Sequence, residues 1–383
     1  MDGVTGVRAH APAARLPDGH LFVAAGGGGD VLAASVLQRK LAGAGPLPHV
    51  VTYSWDRLMV DPVAGPRGPD GFENLTRFGD HNYIVSAGSR ARSPGRSLLP
   101  RLARELSTRL FLLDPRGGAT GMRRQLAELI ARLDIGRVSL VDSGGDILAA
   151  GHERELRSPL PDSLVLAAAD GLDAQVDVLV AGAGLDGELT PQRVRETVVE
   201  LGGHLDRYRL AAHDVAWCQP VLRWHPSEVN GLLFVAANGY RGTVEIRAAA
   251  LRVRVDEASA AVHRCTYEHA IGHNLLAKSM IETDSFDEVE RAIAVIRNDR
   301  SEIDHQRGNA WRDSDGSARG RDVDERLAGL LRYSNARGAS VDALTLRRAA
   351  EVMGVDIIGL RALAPALSGR FPRRYEPPLW HLR

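Results

Sequence analysis

The sequence predicts an α/β fold, with a doubly wound, mostly parallel sheet, helices on both faces, a small antiparallel β segment and a C-terminal helical appendage. Three observations lead to this prediction. Short apolar runs alternate with segments whose apolar residues recur at helical spacing. The apolar runs end in turns rich in glycine and aspartate. A polar stretch then separates this alternation from a helix-forming end of the chain.

The first predicted unit is a strand, a glycine turn and a helix. The apolar run 21–25 is followed by four glycines, Gly26, Gly27, Gly28 and Gly29, and then by Asp30. Apolar residues of 31–37 recur at helical spacing, which predicts a helix directly after the turn.

The same alternation recurs along the chain as far as residue 191. Further strands are predicted at 49–54, 110–113, 137–141 and 176–181, and helices at 120–133 and from Thr190-Pro191 onward. Right-handed crossovers place every strand-to-helix turn at the same edge of a parallel sheet. The turns 26–30, 114–118, 142–146 and 182–188 are therefore predicted to share one crevice, where open α/β sheets bind ligands.

The pattern changes at about residue 232. Residues 232–237, the pair Asn238-Gly239 and the segments 242–247 and 251–255 are typical of antiparallel strands with a hairpin. Near the end, 341–353 and 355–367 predict two helices around Gly354. A helical packing or dimerisation appendage is the favoured interpretation, and a helix-turn-helix DNA-binding unit is the alternative.

These boundaries divide the chain into four parts. They are a loose leader (1–18), an α/β ligand-binding domain (19–307), a polar linker (308–324) and a helical C-terminal appendage (325–383). Because the linker is polar and glycine-rich, we expect few contacts to cross it. Deletion of the appendage should then leave the crevice folded, and homo-oligomerisation through its helices is an expected role.

Composition excludes several classes of protein. With 44% apolar and 25% charged residues among 383, the chain can bury a core and is not wholly disordered. Lys plus Arg and Asp plus Glu both number 48, which argues against a dedicated nucleic-acid or membrane-surface binder. Cys218 and Cys265 are not spaced for a zinc or redox motif, and no run of about 18 apolar residues occurs. We expect a cytoplasmic protein with reduced thiols.

A repeated glycine–aspartate segment carries the candidate chemistry. Residues 144–150 repeat 28–34 except that Ile147 replaces Val31. The repeat and the turn 186–188 bring Asp30, Asp146 and Asp186 to the predicted crevice, as ligands of Mg²⁺ or as acceptors for sugar hydroxyls. The alternative interpretation is that Asp30 and Asp146 only cap helices.

Two residues are candidates for catalysis. Asp142, at the end of its predicted strand, is a candidate general base, and His225 is a candidate proton-transfer group or a hydrogen-bonding loop residue. Neither a Gly-x-Ser-x-Gly segment nor a His-Glu-x-x-His segment occurs, which argues against serine-hydrolase and zincin classes.

The glycines of two turns are candidates for binding phosphate or a nucleotide. Gly26 to Gly29 allow backbone N–H groups to approach an anion at a helix start, and Arg116, Gly117 and Gly118 supply a second such turn. No Gly-Lys-Ser/Thr follows the first turn, so it is not a P-loop. Val31 occupies the third glycine position of a Gly-x-Gly-x-x-Gly segment, which argues against a standard dinucleotide site.

Several short motifs, taken together in order, resemble one family. They are FVAAGGGGD at 22–30, WDRL at 55–58 with Asp61-Pro62 and Gly65-Pro66-Arg67, VDSGGD at 141–146, Glu153 with SPL at 158–160, GLDGE at 184–188, and 274–304 with Thr283 and 285–288. This set resembles the uncharacterised family called domain of unknown function 1152 over about residues 20–307. Ser143 stands where that family often has glycine, and 308–383 looks like an addition. The resemblance implies the fold and the crevice, and it implies no particular reaction.

The sequence thus predicts a Mg²⁺-dependent transferase or hydrolase acting on a small phosphorylated or nucleotide-like metabolite. Two alternatives stay open. One is a non-catalytic nucleotide- or sugar-sensing module whose C-terminal helices transmit the signal. The other is an oxidoreductase that holds a nicotinamide cofactor in an aberrant Rossmann loop.

Overall fold

The structure of the protein is a computed structural model that describes residues 19–42, 49–247, 250–297, 303 and 322–383. The predicted leader (1–18) and residues 308–321 of the predicted linker lie outside the described residues.

The secondary structure follows the predicted alternation. The strands are β1 (Gly19–Ala24), β2 (His49–Tyr53), β3 (Phe72–Glu73), β4 (Thr76–Phe78), β5 (Asn82–Val85), β6 (Arg90–Ala91), β7 (Arg109–Leu113), β8 (Ile135–Ser143), β9 (Gln175–Ala181), β10 (His204–Arg209), β11 (Gly242–Ile246), β12 (Leu251–Val255), β13 (Ala261–Thr266), β14 (Ala343–Thr345), β15 (Tyr375–Glu376) and β16 (Leu379–His381). The helices are α1 (Val31–Leu41), α2 (Leu99–Glu105), α3 (Gly118–Leu133), α4 (Pro159–Ala168), α5 (Pro191–Glu200), α6 (Ala212–Val215), α7 (Gln219–Leu222), α8 (Glu228–Ala237), α9 (Tyr267–His273), α10 (Leu275–Met280), α11 (Phe286–Arg297), α12 (Val323–Arg337), α13 (Leu346–Met353) and α14 (Ile357–Arg370).

A large mixed sheet organises the fold. Its strand order is β10-β13-β9-β8-β1-β2-β7-β5-β4, and the five central strands, β9, β8, β1, β2 and β7, are mutually parallel. Numbered along the chain, these five have the order 3-2-1-4-5, which is that of the doubly wound fold. The predicted α/β class is confirmed.

The central strand β1 shows why helices cover both faces of this sheet. Leu21 and Val23 pack into one hydrophobic core, whereas Phe22 and Ala24 pack into the other. Successive side chains of a strand point to opposite faces, so a strand that is apolar at every position needs cover on both sides. The predicted run of apolar residues therefore becomes a buried central strand.

The predicted strand at 232–237 is wrong. This segment belongs to helix α8, and Asn238 follows the helix as its C-cap, with its Nδ2 donating to the carbonyl of Phe234 at 3.0 Å. A short apolar run has no periodicity that distinguishes a buried strand from a buried helix. The predicted hairpin turn at Asn238-Gly239 is also wrong, whereas the two later segments do pair as an antiparallel hairpin, β11 with β12.

The C-terminal segment, residues 322–383, is helical as predicted, but it also contributes strands. Val341 to Thr345 precede helix α13 instead of belonging to it, and β14 pairs in parallel with β11 of the hairpin. Strand β16 pairs with β14, and Trp380 is fully buried in the same core as Phe22. The expectation of few crossing contacts is therefore wrong for this segment.

Within the described residues, no single helix has both the length and the apolar character needed to cross a membrane. The helices over Leu346–Met353 and Ile358–Arg370 are long and apolar enough only when they are counted as one segment, and the bend between them is 101°.

Candidate functional site

The candidate site lies where the direction of strand order reverses, between the carboxyl ends of β1 and β8. The chain leaves β1 toward β2 and β7, and it then crosses over to add β8 and β9 on the other side. Helices connected to the two strands run to opposite sides, which opens a crevice at this edge of the sheet.

A cleft of about 970 Å³, a volume that includes its open mouth, occupies this position. It is lined by three of the four predicted turns, namely the turns that follow β1, β8 and β9. It is also lined by residues 225–229, which lead into α8, and by Arg347 of the C-terminal segment.

The fourth predicted turn, 114–118, does not line the cleft. It lies at the same edge of the sheet, but β2 separates its strand, β7, from β1. Arg116 is engaged there by Asp114 at 2.8 Å and by Asp70 at 2.5 Å. The structure therefore does not bring Arg116, Gly117 and Gly118 to the other predicted site residues.

Two sets of three buried carboxylates lie in the cleft. The first set is Asp30, Asp142 and Asp162, and the second set is Asp146, Asp186 and Glu188. In each set, one oxygen from every member lies within 4.8 Å of the others. All six residues are buried, with no more than 8% of any of them exposed.

Asp30 is not a helix cap. Its side chain makes no capping hydrogen bond to α1, although the residue directly precedes that helix. Its Oδ2 instead accepts hydrogen bonds from the backbone N–H groups of Gly26, at 2.9 Å, and Ser143, at 3.4 Å. The carboxylate is thus fixed across the crevice from the end of β1 to the end of β8.

Backbone donors also orient members of both sets. Asp142 Oδ2 accepts from the N–H of Ile147 at 3.2 Å, and Asp186 Oδ1 accepts from the N–H of Glu188 at 3.0 Å. Glu188 accepts from the N–H groups of Arg157 and Ser158 and from the Ser158 hydroxyl. Ser158 directly precedes α4, but its side chain holds Glu188 instead of capping that helix.

Part of the carboxyl group of Asp146 is buried without a hydrogen-bond partner in the described part of the chain. Its Oδ1 is buried and has no hydrogen-bond partner among the described residues. Its side chain makes no capping bond to the short 3-10 turn Asp146–Leu148 that it begins. A buried polar atom without a partner is costly, so this oxygen is a candidate ligand atom.

Burial raises the pKa of most of these carboxyl groups. It raises the pKa of Asp30 to about 7, and burial together with the charge of Glu188 raises that of Asp186 to about 6. Burial and the charges of both Asp30 and Asp186 hold the pKa of Asp142 well above its ordinary value. The pKa of Asp142 therefore depends on the charge of one member of each set.

Asp146 and Glu188 have pKa values shifted in opposite directions. Burial and the charges of Glu188 and Asp186 hold the pKa of Asp146 well above its usual range. Although burial opposes it, the pKa of Glu188 is lowered by Arg247 and by the backbone donors. Ionisation is accordingly favoured at Glu188, whereas burial and the neighbouring charges favour the protonated form of Asp146.

Arginines provide the positive charge of the cleft wall. Arg247 Nη1 donates to Glu188 Oε1 at 2.9 Å, and Arg347 Nη1 lies 3.5 Å from Glu228 Oε2. The lining carboxylates outnumber the lining arginines Arg57, Arg247 and Arg347, since Asp56 and Glu228 add to the two sets. Carboxyl oxygens, the ligands that hard divalent cations prefer, therefore dominate the charged lining of the cleft.

His225 lines the cleft next to helix α8. Burial and the charges of Arg361 and Arg101 lower the pKa of His225 to about 3. Its Nδ1 accepts from the N–H of Ser227 at 3.2 Å, so the proton of the neutral ring is on Nε2. At neutral pH this histidine is a neutral hydrogen-bond donor, which does not favour the predicted role in proton transfer.

The predicted glycine turn, Gly26 to Gly29, forms one wall of the cleft. A Cβ on Gly26 would lie 2.5 Å from Asp30 Oδ2, and one on Gly29 would lie 2.6 Å from Ser227 Oγ. The glycines therefore allow these side chains to approach the backbone closely.

Several residues of the site were not predicted from sequence. Asp162 lies in helix α4, directly after Pro161, and Asp56 follows strand β2. Arg247 and Arg347 carried no motif at all, because the hairpin and the C-terminal segment reach the cleft only through tertiary packing. Glu188 lies in the predicted turn 182–188, but only its hydrogen bonds to Ser158 and Arg247 show that it belongs to the site.

Comparison with known proteins adds one finding. The model of a family described as "Protein of unknown function (DUF1152)" matches residues 21–309. A search of curated proteins and a search of solved structures found no match to the chain. The matched residues include both carboxylate sets and the hairpin, and they end before the segment that supplies Arg347.

Proposed function

The chain belongs to the family of proteins of unknown function (DUF1152), and from the geometry of its cleft we propose that it is a divalent-cation-dependent enzyme acting on a small phosphorylated metabolite. The single observation that carries the proposal is the pair of buried carboxylate sets. Each set offers three oxygen ligands, the donor type that Mg²⁺ and Mn²⁺ prefer. We assign one cation to each set.

Electrostatics supports a cation over other occupants. Burial makes ionisation of Asp30, Asp142 and Asp146 unfavourable in the cation-free protein, as their raised pKa values show. A divalent cation would supply the compensating charge, and Asp146 Oδ1 would be one of the oxygens available to hold it. A phosphate group without a cation would not supply that charge, and it would meet the ionised Glu188 in the same space.

The buried carboxyl groups also argue against the oxidoreductase alternative. A dinucleotide places its pyrophosphate at the start of the helix after the first strand. At that position the chain has the buried carboxyl groups of Asp30 and Asp56 beside the glycines. Cations bound to the carboxylates would reverse this charge and would bring phosphate oxygens into their coordination, which is the arrangement used in metal-assisted phosphoryl transfer and hydrolysis.

Cation stoichiometry tests this proposal. Titration of the full chain with Mn²⁺, followed by electron paramagnetic resonance, should give two bound ions. Asp162→Asn and Asp186→Asn should each remove one ion, because each variant takes a charged ligand from one set. Asp173→Asn, at an exposed position, is the control and should bind two ions. Failure of the unsubstituted protein to bind Mn²⁺ would exclude the proposal.

A second experiment distinguishes the enzyme from the sensing module. A library of phosphorylated metabolites should be screened by thermal shift with and without Mg²⁺, since a specific ligand stabilises the folded state by mass action. The enzyme requires a ligand that stabilises the protein only with Mg²⁺ and is then converted to product. Stabilisation without conversion would favour the non-catalytic sensor.

A further inference from the structure

The wall of the cleft includes one residue from far outside the family match. Arg347 is on helix α13 of the C-terminal segment, and the match ends at residue 309. Its side chain is 24% exposed, more than any member of the two carboxylate sets. The guanidinium is therefore nearer to solvent than the acidic residues.

Glu228 holds this arginine at the cleft. Glu228 Oε1 accepts from the N–H of Arg247 at 2.9 Å and from the Thr345 hydroxyl at 2.5 Å. Its Oε2 lies 3.5 Å from Arg347 Nη1. One buried carboxylate thus connects the hairpin that carries Arg247 to the segment that carries Arg347.

The contacts of Arg347 position its side chain and use only some of its N–H donors. The distance of 3.5 Å to Glu228 exceeds the 2.7–2.9 Å typical of a charge-assisted hydrogen bond. Arg347 Nε donates a hydrogen bond of 3.1 Å to Oε1 of Glu351, which lies one turn further along α13. A guanidinium has five N–H donors, so these two contacts leave donors for a ligand.

We propose that Arg347 and Arg247 form a clamp that binds the phosphate group of the ligand, so that the C-terminal segment determines substrate specificity. This inference rests on the proposed function, because only bound cations would draw the oxygens of a phosphate group toward the two carboxylate sets. Arginine presents its donors in a planar fork that matches two oxygens of a phosphate group. A ligand would then place its anionic end at the arginines and its reacting oxygens toward the cations.

Phosphate binding by Arg347 variants tests the clamp. Inorganic phosphate is titrated into the full chain at saturating Mg²⁺ and followed by isothermal titration calorimetry. Arg347→Gln should weaken phosphate binding at least about tenfold, since it removes a charge-assisted fork. Arg347→Lys should weaken it by at least about threefold, because the charge stays but the fork is lost. Arg332→Gln, an exposed arginine on α12 of the same segment, is the matched control and should bind like the unsubstituted protein.

The outcomes separate this inference from the proposed function. Two bound Mn²⁺ ions with equal phosphate affinity in the unsubstituted protein and Arg347→Gln would overturn the clamp alone. Absence of phosphate binding by the unsubstituted protein with both ions bound would also overturn it. If the unsubstituted protein does not bind Mn²⁺, the proposed function itself is wrong. If Arg347→Gln does not fold, Arg347→Lys decides, and unchanged affinity in that variant overturns the clamp.

Discussion

The segments 28–34 and 144–150 differ at a single position in sequence, yet they have different backbones. In the first, Asp30 directly precedes the eleven-residue helix α1. In the second, Asp146 begins a three-residue 3-10 turn that ends at Leu148, and Ala149 is already extended. Both segments nevertheless bring an aspartate into the same cleft.

Tertiary hydrogen bonds explain the difference. The N–H of Gly144 donates to the carbonyl of Ala181 at 3.0 Å, and the Gly144 carbonyl accepts from Gly184 at 2.7 Å, so this segment is fixed to the end of β9. Gly144 and Gly145 have φ values of 130° and 125°, which glycine adopts readily and other residues rarely do. After the turn, Glu153 accepts from the N–H groups of Ala150 and Gly151, at 2.8 Å each.

The comparison shows that the shared residues encode the position of a carboxylate and not a secondary structure. The intrinsic preference for helix is nearly the same in the two segments, so the surroundings must determine the outcome. Four predictions test this explanation, from the largest expected effect to the smallest.

Replacing a glycine by alanine should affect the two segments very differently. Gly145→Ala combines a φ of 125° with a Cβ only 2.6 Å from Val194 Cγ2, so the free energy of unfolding should fall by about 3–5 kcal/mol or folding should fail. A Cβ at position 28 would lie 3.4 Å from Asp56 Oδ1, which is an ordinary contact. Gly28→Ala should therefore change the free energy of unfolding by less than about 1 kcal/mol. Urea denaturation measures both variants, and equal losses would contradict the proposed role of backbone conformation.

The carboxyl group of Asp56, beside the first segment, should make stability depend on pH. Burial raises the pKa of Asp56 to about 7, with a further increase from Asp61 and an opposing effect of Arg67. Between about pH 4 and pH 7 the unfolded chain releases this proton while the folded chain keeps it. The free energy of unfolding should therefore fall as the pH rises, by an amount on the order of 4 kcal/mol.

Asp56→Asn tests this pH dependence because the variant cannot ionise. Its unfolding free energy, measured with a chelator at pH 5 and pH 8, should fall less between the two values than that of the unsubstituted protein. An identical decrease in both proteins would show that Asp56 does not keep its proton in the folded chain.

Asp30→Asn and Asp146→Asn should both lower the affinity for Mn²⁺, by at least about tenfold, because each removes a charged ligand. In the cation-free protein at pH 6, the thermal midpoint of Asp146→Asn should stay close to that of the unsubstituted protein, because burial keeps the Asp146 carboxyl group protonated and the amide is equally uncharged. Asp30→Asn should lower the midpoint slightly, because the Asp30 carboxyl group accepts two backbone hydrogen bonds. Unchanged Mn²⁺ affinity in both variants would remove these aspartates from the cation site.

The smallest expected effect concerns the residue that closes the second segment. Glu153→Gln weakens the bonds from the N–H groups of Ala150 and Gly151, and it should cost about 1 kcal/mol of unfolding free energy. Glu155→Gln, at an exposed position two residues later, is the control and should change almost nothing. Equal effects of the two variants would mean that Glu153 does not fix the turn.

The fold could be predicted from sequence because its signals are local. The apolar runs that became β1, β2, β7, β8 and β9 and the cap and proline at Thr190-Pro191 each lie within a few residues, and the Thr190 hydroxyl indeed accepts from Arg193. The edge of the sheet at which the turns lie also followed, because it depends only on the crossover rule.

Half of the site could not be predicted, because it depends on strand order and on long-range packing. Arg116 follows a strand in the same way as Asp30, and only the position of β2 between β7 and β1 shows that it lies elsewhere. Asp162, Arg247 and Arg347 reach the cleft from a helix, a hairpin turn and the C-terminal segment. No spacing along the chain relates these residues to one another.

The pairing of β11 with β14 has a consequence for synthesis of the chain. The backbone N–H of Thr243 donates to Asp342, 99 residues later, so this edge of the hairpin stays open until the ribosome has added the partner strand. At about 5–20 residues per second this delay is roughly 5–20 s. An open strand edge with apolar neighbours is a template for pairing with other chains. Chaperone dependence during translation, and aggregation of chains that stop before β14, are therefore the expected costs of completing this sheet late.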